Sequence, residues 1–419
     1  MRNIFLRLET VAADAKRRVS GGEGVANGRR AKGRARPLGA PDACSRAKRW
    51  RAQRLRPTGG NSNVDFRFNH RYTNLLQPLR RRLKLVTCGL FGVWVFGLGV
   101  LSSALALDIT LPTANHALYS PSGEEQFYQG TAGHDWHSGQ YGCVRSGGHQ
   151  YHEGIDVRCL ERDRHGEPTD RVVAIADGEV AYVASVGGQS NYGRYVLVRH
   201  RWDGVEVFSL YAHLAGFAPG LRAGQAVKRG DWIAVLGHSG TQNIPKDRAH
   251  LHLEICFQIN RNFAAWFAPR MAKGDRNDHA NYNGINLQGI DPAAIFLATK
   301  DKPSLNFREY MESQPVAFTA LFPARRPPLS CMRAQPWCNV NGPEPKPVTA
   351  YEVWFMAEGV ATFVRPRTDV TTPAPRVLTV NEPPLISLPA RRLVERDAKR
   401  RGWQFTTKGG ELMEMLCFQ

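Results

Sequence analysis

The sequence predicts a mostly β protein, with a compact antiparallel β-sheet or barrel-sandwich domain at residues 149–270, a basic N-terminal leader and a small α+β C-terminal region. Three observations predict this. Short alternating or β-branched runs recur in the middle of the chain, glycine-containing turns separate them, and most of the excess positive charge lies near the N-terminus. A length of 419 residues with 42% hydrophobic content allows more than one domain.

The β prediction depends on six runs and on the turns between them. Strands are expected at 172–175, 179–184, 195–199, 205–211, 232–236 and 250–256. Turn dipeptides lie between the runs, at Asp177-Gly178, Gly187-Gly188, Asp203-Gly204 and Arg229-Gly230. The clearest predicted hairpin is the one that turns at Asp203-Gly204.

The net charge of +19 lies almost entirely in the first 106 residues. They hold 22 of the 56 Lys and Arg residues but only 5 of the 37 Asp and Glu residues, so the rest of the chain carries 34 basic and 32 acidic residues. Nucleic-acid binding depends on clustered cationic side chains. The nearly balanced remainder therefore argues against a nucleic-acid partner.

An apolar segment ends this leader. Arg81, Arg82 and Lys84 precede an uncharged run at 85–106, which ends in Ala-Leu-Ala, a small-x-small cleavage signature. The run is about 22 residues long, enough to span a bilayer if it is not cleaved. Residues 81–106 are predicted to be a signal peptide or a membrane anchor. The protein is therefore expected to be exported, and to be periplasmic, associated with the cell envelope or anchored in the inner membrane.

Residues 1–80 are unusual before an export signal, because signal peptides normally begin only a few residues before their charged cluster. Much of this stretch is dominated by Ala, Arg and Gly. Two interpretations are open. Either the start site is assigned too far upstream and the protein begins near residues 75–79, or residues 1–80 form a disordered basic arm.

The segments that flank the central domain give weaker patterns. Residues 107–148 are predicted to be an irregular lead-in, and residues 271–314 a polar linker with a short helix at 292–298. Residues 315–419 are interpreted as an accessory domain of unknown function. Its expected elements are strands at 352–357 and 360–364, a helix at 389–401, and a hairpin of 403–407 with 412–418.

Six cysteines follow the leader, an even number that suits an oxidising compartment and up to three disulfides. Free thiols remain an alternative. The local pairs expected from spacing are Cys331 with Cys338 and Cys143 with Cys159.

Residues 249–255, Ala-His-Leu-His-Leu-Glu-Ile, carry three ionisable side chains on one face of a predicted strand. Alternation directs His250, His252 and Glu254 to one side and the Leu and Ile side chains to the other. Such a face is either a solvated polar surface or part of a metal site. In a metal site Glu254 would orient an imidazole through a hydrogen bond; otherwise it would form a salt bridge.

A second segment favours the metal site. His152 and Asp156 lie four residues apart around Gly154, so an imidazole and a carboxylate converge if the chain turns into a strand there. A hydrolytic zinc accepts such mixed ligands and needs three from the protein and an open fourth position. His213, in a third string at 211–214, and His250 add candidate groups for proton transfer.

Six ordered motifs within residues 120–268 resemble the lysostaphin/LytM-type zinc metallopeptidases, which have a duplicated hybrid motif domain and cleave peptidoglycan peptides. The motifs are His152-x3-Asp156, Ala176-Asp-Gly-Glu-Val180, Asn191-Tyr-Gly193, Tyr211-Ala-His-Leu214, Val227-x2-Gly-Asp-x-Ile233 and His250-Leu-His252. Their order and number make the resemblance specific.

The resemblance implies a zinc metallopeptidase domain at residues 149–270 that holds one Zn²⁺ through His152, Asp156 and His252. It also implies that His213 and His250 are catalytic groups beside the metal, without dividing the proton-transfer roles between them. The implied fold is a compact β-structure with its site in a groove between loops. The implied function is that of an exported endopeptidase that hydrolyses peptide bonds in peptidoglycan stems or cross-bridges, in cell-wall remodelling or lysis.

Two segments depart from the family pattern. Residues 240–248 stand where the family often has Thr-Gly-Pro before His-x-His, and residues 158–170 are extended. Both are expected to reshape the wall of the groove.

A second class of function remains open. Relatives of this fold that have lost ligands act as non-catalytic envelope scaffolds that activate other wall hydrolases, and retention of all five site residues argues against that role here. The expected partners are peptidoglycan peptides, with the C-terminal region as a candidate contact for envelope proteins. A membrane contact is expected only if the signal segment is uncleaved.

Overall fold

An open antiparallel sheet carries the predicted motifs. The computed structural model describes residues 106–328, 332, 347–399 and 401–419. The predictions for residues 1–105, including the leader, its start site and nearly all of the signal or anchor segment, lie outside the described residues. The predicted pair of Cys331 and Cys338 lies outside them as well.

Eighteen strands are present in the described residues, and each of the six predicted runs overlaps one of them. In chain order they are β1 (Val144–Arg145), β2 (Gln150–Tyr151), β3 (Ile155–Arg158), β4 (Arg171–Val173), β5 (Gly178–Ala184), β6 (Tyr195–Trp202), β7 (Val205–Ala212), β8 (Gly216–Phe217), β9 (Ala226–Val227), β10 (Trp232–Val235), β11 (His250–Gln258), β12 (Leu287–Ile290), β13 (Phe318–Pro323), β14 (Ala350–Phe355), β15 (Ala361–Arg367), β16 (Arg376–Val380), β17 (Val394–Asp397) and β18 (Gly402–Phe405).

The α-helices are short, and within the described residues none is long and apolar enough to cross a bilayer. They are α1 (Glu124–Phe127), α2 (Phe263–Phe267), α3 (Pro292–Asp301), α4 (Phe307–Glu312) and α5 (Thr407–Cys417). Helix α3 confirms the helix predicted at 292–298. Pro292 occupies its first turn and the Asp291 side chain accepts hydrogen bonds from two backbone N–H groups, which explains where it begins.

The main sheet is open, so the barrel part of the predicted fold class is wrong for the described strands. Its order is β12-β11-β7-β6-β5-β9, with β3 also paired to β11, and the terminal strands β12 and β9 do not meet. A smaller sheet has the order β4-β10-β8. One hydrophobic cluster contains Val172 and Ile233 from the smaller sheet together with Val196 and Tyr211 from the main sheet. The core therefore lies between two layers.

Both faces of the main sheet are buried at its centre. Along β6, Val196 and Val198 pack into the core between the sheets, whereas Tyr195 and Leu197 belong to a second cluster on the opposite face. Successive side chains of a strand alternate between faces, so a strand covered on both sides has a continuous apolar sequence. This explains the β-branched run in the sequence.

The predicted hairpin at Asp203-Gly204 is confirmed. Trp202 pairs with Val205 across a two-residue turn, and Asp203 and Gly204 have φ values of 49° and 81°. Two successive positive φ angles define the turn type that matches the twist of a β-hairpin, and Asp-Gly is a preferred pair for it. The turn fixes the register of β6 against β7, which leads to His213.

The C-terminal region packs against the central domain. Its main element is a four-stranded antiparallel sheet with the order β15-β14-β13-β16. The Asn260 side-chain amide donates hydrogen bonds to the carbonyls of Met415 and Phe418, at 2.6 and 2.9 Å, and Gln288 donates to the Glu358 carbonyl at 2.8 Å. A continuous hydrophobic cluster runs through both regions.

Two predictions for the C-terminal region are wrong. Residues 389–401, predicted as a helix, contain one 3-10 turn and strand β17, which pairs with β18. Residues 412–418, predicted as a strand, belong mostly to helix α5. The Thr406 side chain caps this helix by accepting from the Gly409 N–H, and Leu412, Met413, Met415 and Leu416 form its buried face. Helical spacing of apolar residues and a cap therefore override the expected hairpin.

The predicted disulfide between Cys143 and Cys159 is also wrong, because both are free thiols. Cys143 Sγ donates to the His137 carbonyl at 2.7 Å, and Cys159 Sγ donates to Asp170 Oδ2 at 2.9 Å. Each thiol has its own polar partner, and burial with the Asp170 hydrogen bond raises the pKa of Cys159 to about 12. These cysteines are therefore inert side chains of the core.

Candidate metal centre

Strand register brings the two most distant ligand candidates together. On β11, His252 pairs directly with Asp156 of β3 on one side and with Ala212 of β7 on the other. Since His213 follows Ala212, the same register brings the third predicted string to the site. Gly154 permits this approach, since a Cβ there would lie 2.4 Å from the Leu253 carbonyl oxygen. Motifs that are far apart in the sequence thus form a single cluster.

The donor atoms of His152, Asp156 and His252 form a nearly equilateral triangle. His152 Nε2 lies 3.1 Å from both Asp156 Oδ1 and His252 Nδ1, and the last two atoms are 3.0 Å apart. All three residues are buried and together form a group able to hold a metal ion. The structure thus brings together the three residues that the sequence suggests as metal ligands.

The triangle fits zinc. Nitrogen and oxygen ligands at about 2.0–2.2 Å from a tetrahedral zinc stand about 3.3 Å from one another. The observed separations of 3.0–3.1 Å are close to this spacing. Two imidazoles and one carboxylate also make a donor set that zinc accepts, and three protein ligands leave a fourth position open.

The tautomer of His152 follows from the hydrogen-bond partner of its Nδ1 atom. His152 Nδ1 lies 2.8 Å from the Gln140 carbonyl, which can only accept, so we assign the proton to Nδ1 and the lone pair to Nε2. Burial, with the charge of Arg145, lowers the pKa of His152 to about 4. The ring is therefore neutral, as a metal ligand must be.

His252 has a carboxylate on either side of its ring. Nδ1 contacts Asp156, and Nε2 lies 2.9 Å from Glu254 Oε1, which also accepts from the Tyr192 hydroxyl at 2.7 Å. Burial alone would lower the pKa of His252, but hydrogen bonds to the two carboxylates raise it to about 9. A metal that binds at Nδ1 displaces this proton. Of the two interpretations of Glu254, the geometry matches the carboxylate that orients a metal-binding imidazole.

Asp156 is held as an anion. Burial would raise its pKa, but the Arg145 guanidinium and the neighbouring imidazoles hold it well below its usual range. Arg145 Nη2 donates to Asp156 Oδ2 at 2.6 Å, and the two side chains are 12% and 1% exposed. The carboxylate is therefore ready to bind a cation without losing a proton first.

His213 and His250 lie beside the triangle and outside it. Their ring centroids are 4.9 Å apart, and His250 Nε2 is 3.6 Å from Asp156 Oδ1. His213 Nδ1 faces the Ser239 carbonyl and His250 Nδ1 faces the Arg248 carbonyl, each at 2.8 Å. Both rings therefore carry the proton on Nδ1 and present the Nε2 lone pair. Burial lowers the pKa of both imidazoles, so both are neutral at pH 7.

A cleft of about 530 Å³ opens over the triangle. Its lining includes Tyr192 and Arg248 from the central domain, His279 from the segment that follows it and Arg391 from the C-terminal region. Arg391 Nη1 lies 3.3 Å from Oε1 of Glu153, the residue that follows His152 in the sequence. The C-terminal region therefore contributes to the wall of the site.

Of the two segments that depart from the family pattern, residues 240–248 form another part of this wall. Residues 158–170 and 240–248, together termed the clasp, contact each other through Arg162, which donates to the carbonyls of Lys246 and Asp247. Next to this contact, His238 Nε2 lies 3.1 Å from Glu167 Oε2. Residues 242–244 of the clasp line the cleft. Residues 240–248 thus shape the groove directly, as expected, whereas residues 158–170 contact them without lining the cleft.

Sequence reasoning missed two side chains at the centre, Arg145 and Tyr192. The lead-in was assigned no functional motif, although it supplies Arg145 and the Gln140 carbonyl. The available signal was the Gly147-Gly148 pair, which marks a hairpin just before His152. Tyr192 lies in the Asn191-Tyr-Gly193 motif, but an aromatic residue in a turn gives no indication of its hydrogen-bond partner.

Parts of this chain are similar to known proteins. A metalloprotease of Haemophilus influenzae, described as uncharacterized, is 39% identical over 109 residues, 26% of this chain and 19% of its own length. A zinc-containing peptidase from Vibrio cholerae is 21% identical, covers 35% of this chain and 32% of its own, and has a TM-score of 0.20. The catalytic domain of lysostaphin from Staphylococcus simulans is 25% identical, covers 28% of this chain and 75% of its own, and has a TM-score of 0.22.

The family match covers the whole candidate site. Residues 150–263 match the sequence pattern of peptidase family M23. This segment includes the triangle of His152, Asp156 and His252 as well as His213 and His250. The predicted resemblance is confirmed: residues 150–263 of the chain are similar to peptidase family M23.

Proposed function

We propose that the chain is an exported zinc-dependent endopeptidase that hydrolyses peptide bonds in peptidoglycan stems or cross-bridges, with one Zn²⁺ in its catalytic domain. The observation that carries the proposal is the convergence of His152 Nε2, Asp156 Oδ1 and His252 Nδ1 to 3.0–3.1 Å of one another beside two further neutral imidazoles. The family match supports peptide hydrolysis as the reaction.

Peptide hydrolysis at this site requires a Lewis acid and a group that transfers protons. When bound, zinc supplies a Lewis acid that acidifies a water molecule and polarises a carbonyl group. His213 and His250 present Nε2 lone pairs at the edge of the triangle, so either can accept a proton and return it to the departing amine. The Ser239 and Arg248 carbonyls hold the two rings in this orientation.

The cleft supports a peptide as the substrate. Its walls come from the lead-in, the central sheet, the clasp and the C-terminal region, so an extended segment passing over the triangle contacts all four. A peptidase whose subsites come from several loops selects its substrate by the positions of those loops. The signal or anchor segment predicted at residues 81–106 supports the cell envelope as the location.

The test is digestion of purified peptidoglycan by the zinc-loaded chain, with the released fragments identified by mass spectrometry. We expect new amino termini at one type of peptide bond in the stems or cross-bridges. His250→Ala should abolish release, whereas exposed His116→Ala, away from the cleft, should leave it unchanged. The identity of the fragments names the bond.

The same assay separates the enzyme from a non-catalytic scaffold. If the zinc-loaded chain releases no fragments, and His250→Ala still activates a wall hydrolase as well as the unsubstituted chain does, the scaffold role replaces the proposal. Retention of both proton-transfer imidazoles in the observed orientation favours the enzyme, because a scaffold has no use for them.

A further inference from the structure

We propose that Arg145 is a positioning residue of the metal centre: it holds Asp156 Oδ2, so that Oδ1 alone faces the metal and the carboxylate binds through one oxygen. The inference rests on the proposed zinc site. Three observations support it. Arg145 lies on the hairpin of β1 and β2, its Nε and Nη2 each donate a hydrogen bond, and the two oxygens of Asp156 have different partners.

A tight hairpin delivers Arg145 to the site. Strands β1 and β2 pair Val144 with Tyr151 and Arg145 with Gln150, and His152 N–H donates to the Cys143 carbonyl at 3.0 Å. The turn contains Gly147 and Gly148, with φ values of 64° and 97° that favour glycine. The hairpin therefore fixes Arg145 relative to the first ligand, His152.

The guanidinium is anchored on two sides. Its Nε donates to the Ser138 carbonyl at 2.6 Å, and its Nη2 donates to Asp156 Oδ2 at 2.6 Å. The side chain is 12% exposed, so water competes little for these hydrogen bonds. A lysine carries the same charge but lacks the planar fork that satisfies two acceptors at fixed positions. The arrangement therefore uses the shape of arginine as well as its charge.

The two oxygens of Asp156 have different partners. Oδ1 lies 3.1 Å from His152 Nε2 and 3.0 Å from His252 Nδ1, whereas Oδ2 receives the hydrogen of Arg145. A carboxylate that binds through both oxygens raises the coordination number and fills the position that a hydrolytic zinc keeps open. By occupying Oδ2, the guanidinium would leave a bound metal only Oδ1 and keep its fourth position open.

The contact of Arg145 with His152 does not change this assignment. Arg145 Nη2 also lies 2.8 Å from His152 Nδ1. That nitrogen already carries the proton it donates to the Gln140 carbonyl, so it cannot accept a second one from the guanidinium. The hydrogen of Nη2 therefore goes to Asp156, and the Gln140 carbonyl and Arg145 act on separate ligands.

A purely electrostatic role predicts the opposite result. A fixed positive charge close to a dication repels it, so removing the charge would tighten zinc binding if repulsion were the main effect. Loss of a positioning partner instead weakens binding, typically about 10- to 100-fold for groups that orient metal ligands. The sign of the change in affinity therefore decides between the two roles.

The experiment measures zinc affinity by chelator competition, and the visible absorption spectrum after cobalt substitution, for Arg145→Gln and Arg145→Lys in the full chain. We expect both substitutions to weaken zinc binding about 10- to 100-fold. The cobalt bands should lose intensity in both as the carboxylate turns to bind through two oxygens and the coordination number rises. Arg199→Gln, which removes an exposed ion pair with Glu179, is the matched control and should change neither measurement.

Unchanged affinity and an unchanged cobalt spectrum in both variants would overturn the proposal, as would tighter binding in Arg145→Gln. Thermal unfolding of the metal-free proteins separates a folding defect from a positioning defect, because Arg145→Lys keeps the buried charge. If the unsubstituted chain itself binds no zinc, the proposed function fails. If it binds zinc and the variants match it, only the role of Arg145 fails.

Discussion

His252 and Asp156 stand directly opposite each other on neighbouring antiparallel strands, and Nδ1 of the imidazole lies 3.0 Å from Oδ1 of the carboxylate. Opposite residues on such strands have Cβ atoms about 4.5–5.5 Å apart, a distance that short side chains can bridge. The metal centre therefore depends on strand register. A slip of one residue would turn His252 to the other face of the sheet.

Asp156→Ala and His250→Ala should separate metal binding from chemistry. Asp156→Ala removes one corner of the triangle, so we expect zinc affinity to fall by more than the roughly 10- to 100-fold loss typical of outer partners, with activity lost as well. His250→Ala should retain zinc and lose about 10²- to 10⁴-fold in kcat. Metal content by elemental analysis and turnover of a peptide substrate measure the two effects. Equal zinc loss in both variants would make His250 a ligand.

Glu254→Gln should weaken the metal centre without removing a ligand. The Glu254 carboxylate accepts from both His252 Nε2 and the Tyr192 hydroxyl. An amide is a weaker acceptor and lacks the charge that makes the imidazole a stronger donor to the metal, so we expect zinc affinity to fall about 10- to 100-fold. Tyr192→Phe removes only one hydrogen bond and should have a smaller effect in the same direction. Chelator competition measures both, and no change in Glu254→Gln would leave Glu254 with a packing role.

His200 should make stability depend on pH. Burial lowers the pKa of His200 to about 4, and its ring lies between the Asp177 carbonyl and the Ser209 hydroxyl. Because an unfolded histidine has a pKa of about 6.5, the unfolded chain binds more protons between these two values. The free energy of unfolding therefore falls as the pH drops from about 6.5 to 4, by up to roughly 3 kcal/mol from this group.

Urea unfolding at pH 7 and pH 4.5 tests this prediction. His200→Gln should be less stable than the unsubstituted chain at pH 7, and it should lose less stability on acidification. Exposed His165→Gln is the control and should keep the full pH dependence. An equal loss in His200→Gln and the unsubstituted chain would show that other groups cause the acid sensitivity.

The strands that position the site could be predicted because their signal is local. Alternation over residues 249–255 placed His250, His252 and Glu254 on one face, and Leu251, Leu253 and Ile255 do pack into the core. Asp203-Gly204 likewise specified its own turn. In both cases the physical cause lies within a few residues of sequence.

The remaining errors could not be avoided from local sequence patterns. Arg145 lies in an irregular lead-in, and its partner Asp156 is set by a hairpin and a strand pairing that form only in the folded chain. Residues 412–418 fit a strand in the sequence, although they lie mostly in the helix Thr407–Cys417, because their apolar residues are dense enough to fit either period. The barrel was one alternative that the short strand runs allow, whereas closure depends on whether β9 and β12 meet, which they do not.

The clasp should determine how tightly substrate binds. Arg162 joins its two segments by donating to the carbonyls of Lys246 and Asp247, and residues 242–244 then line the cleft beside the triangle. Arg162→Ala should loosen this wall and remove about 1 kcal/mol of binding, which corresponds to a rise in KM of about fivefold. Since the clasp residues are not ligands, kcat and zinc affinity should stay the same. Arg222→Ala, whose guanidinium contacts the Gly220 carbonyl of its own loop, is the matched surface control. A fall in kcat at constant KM for Arg162→Ala would instead assign the clasp to the chemical step.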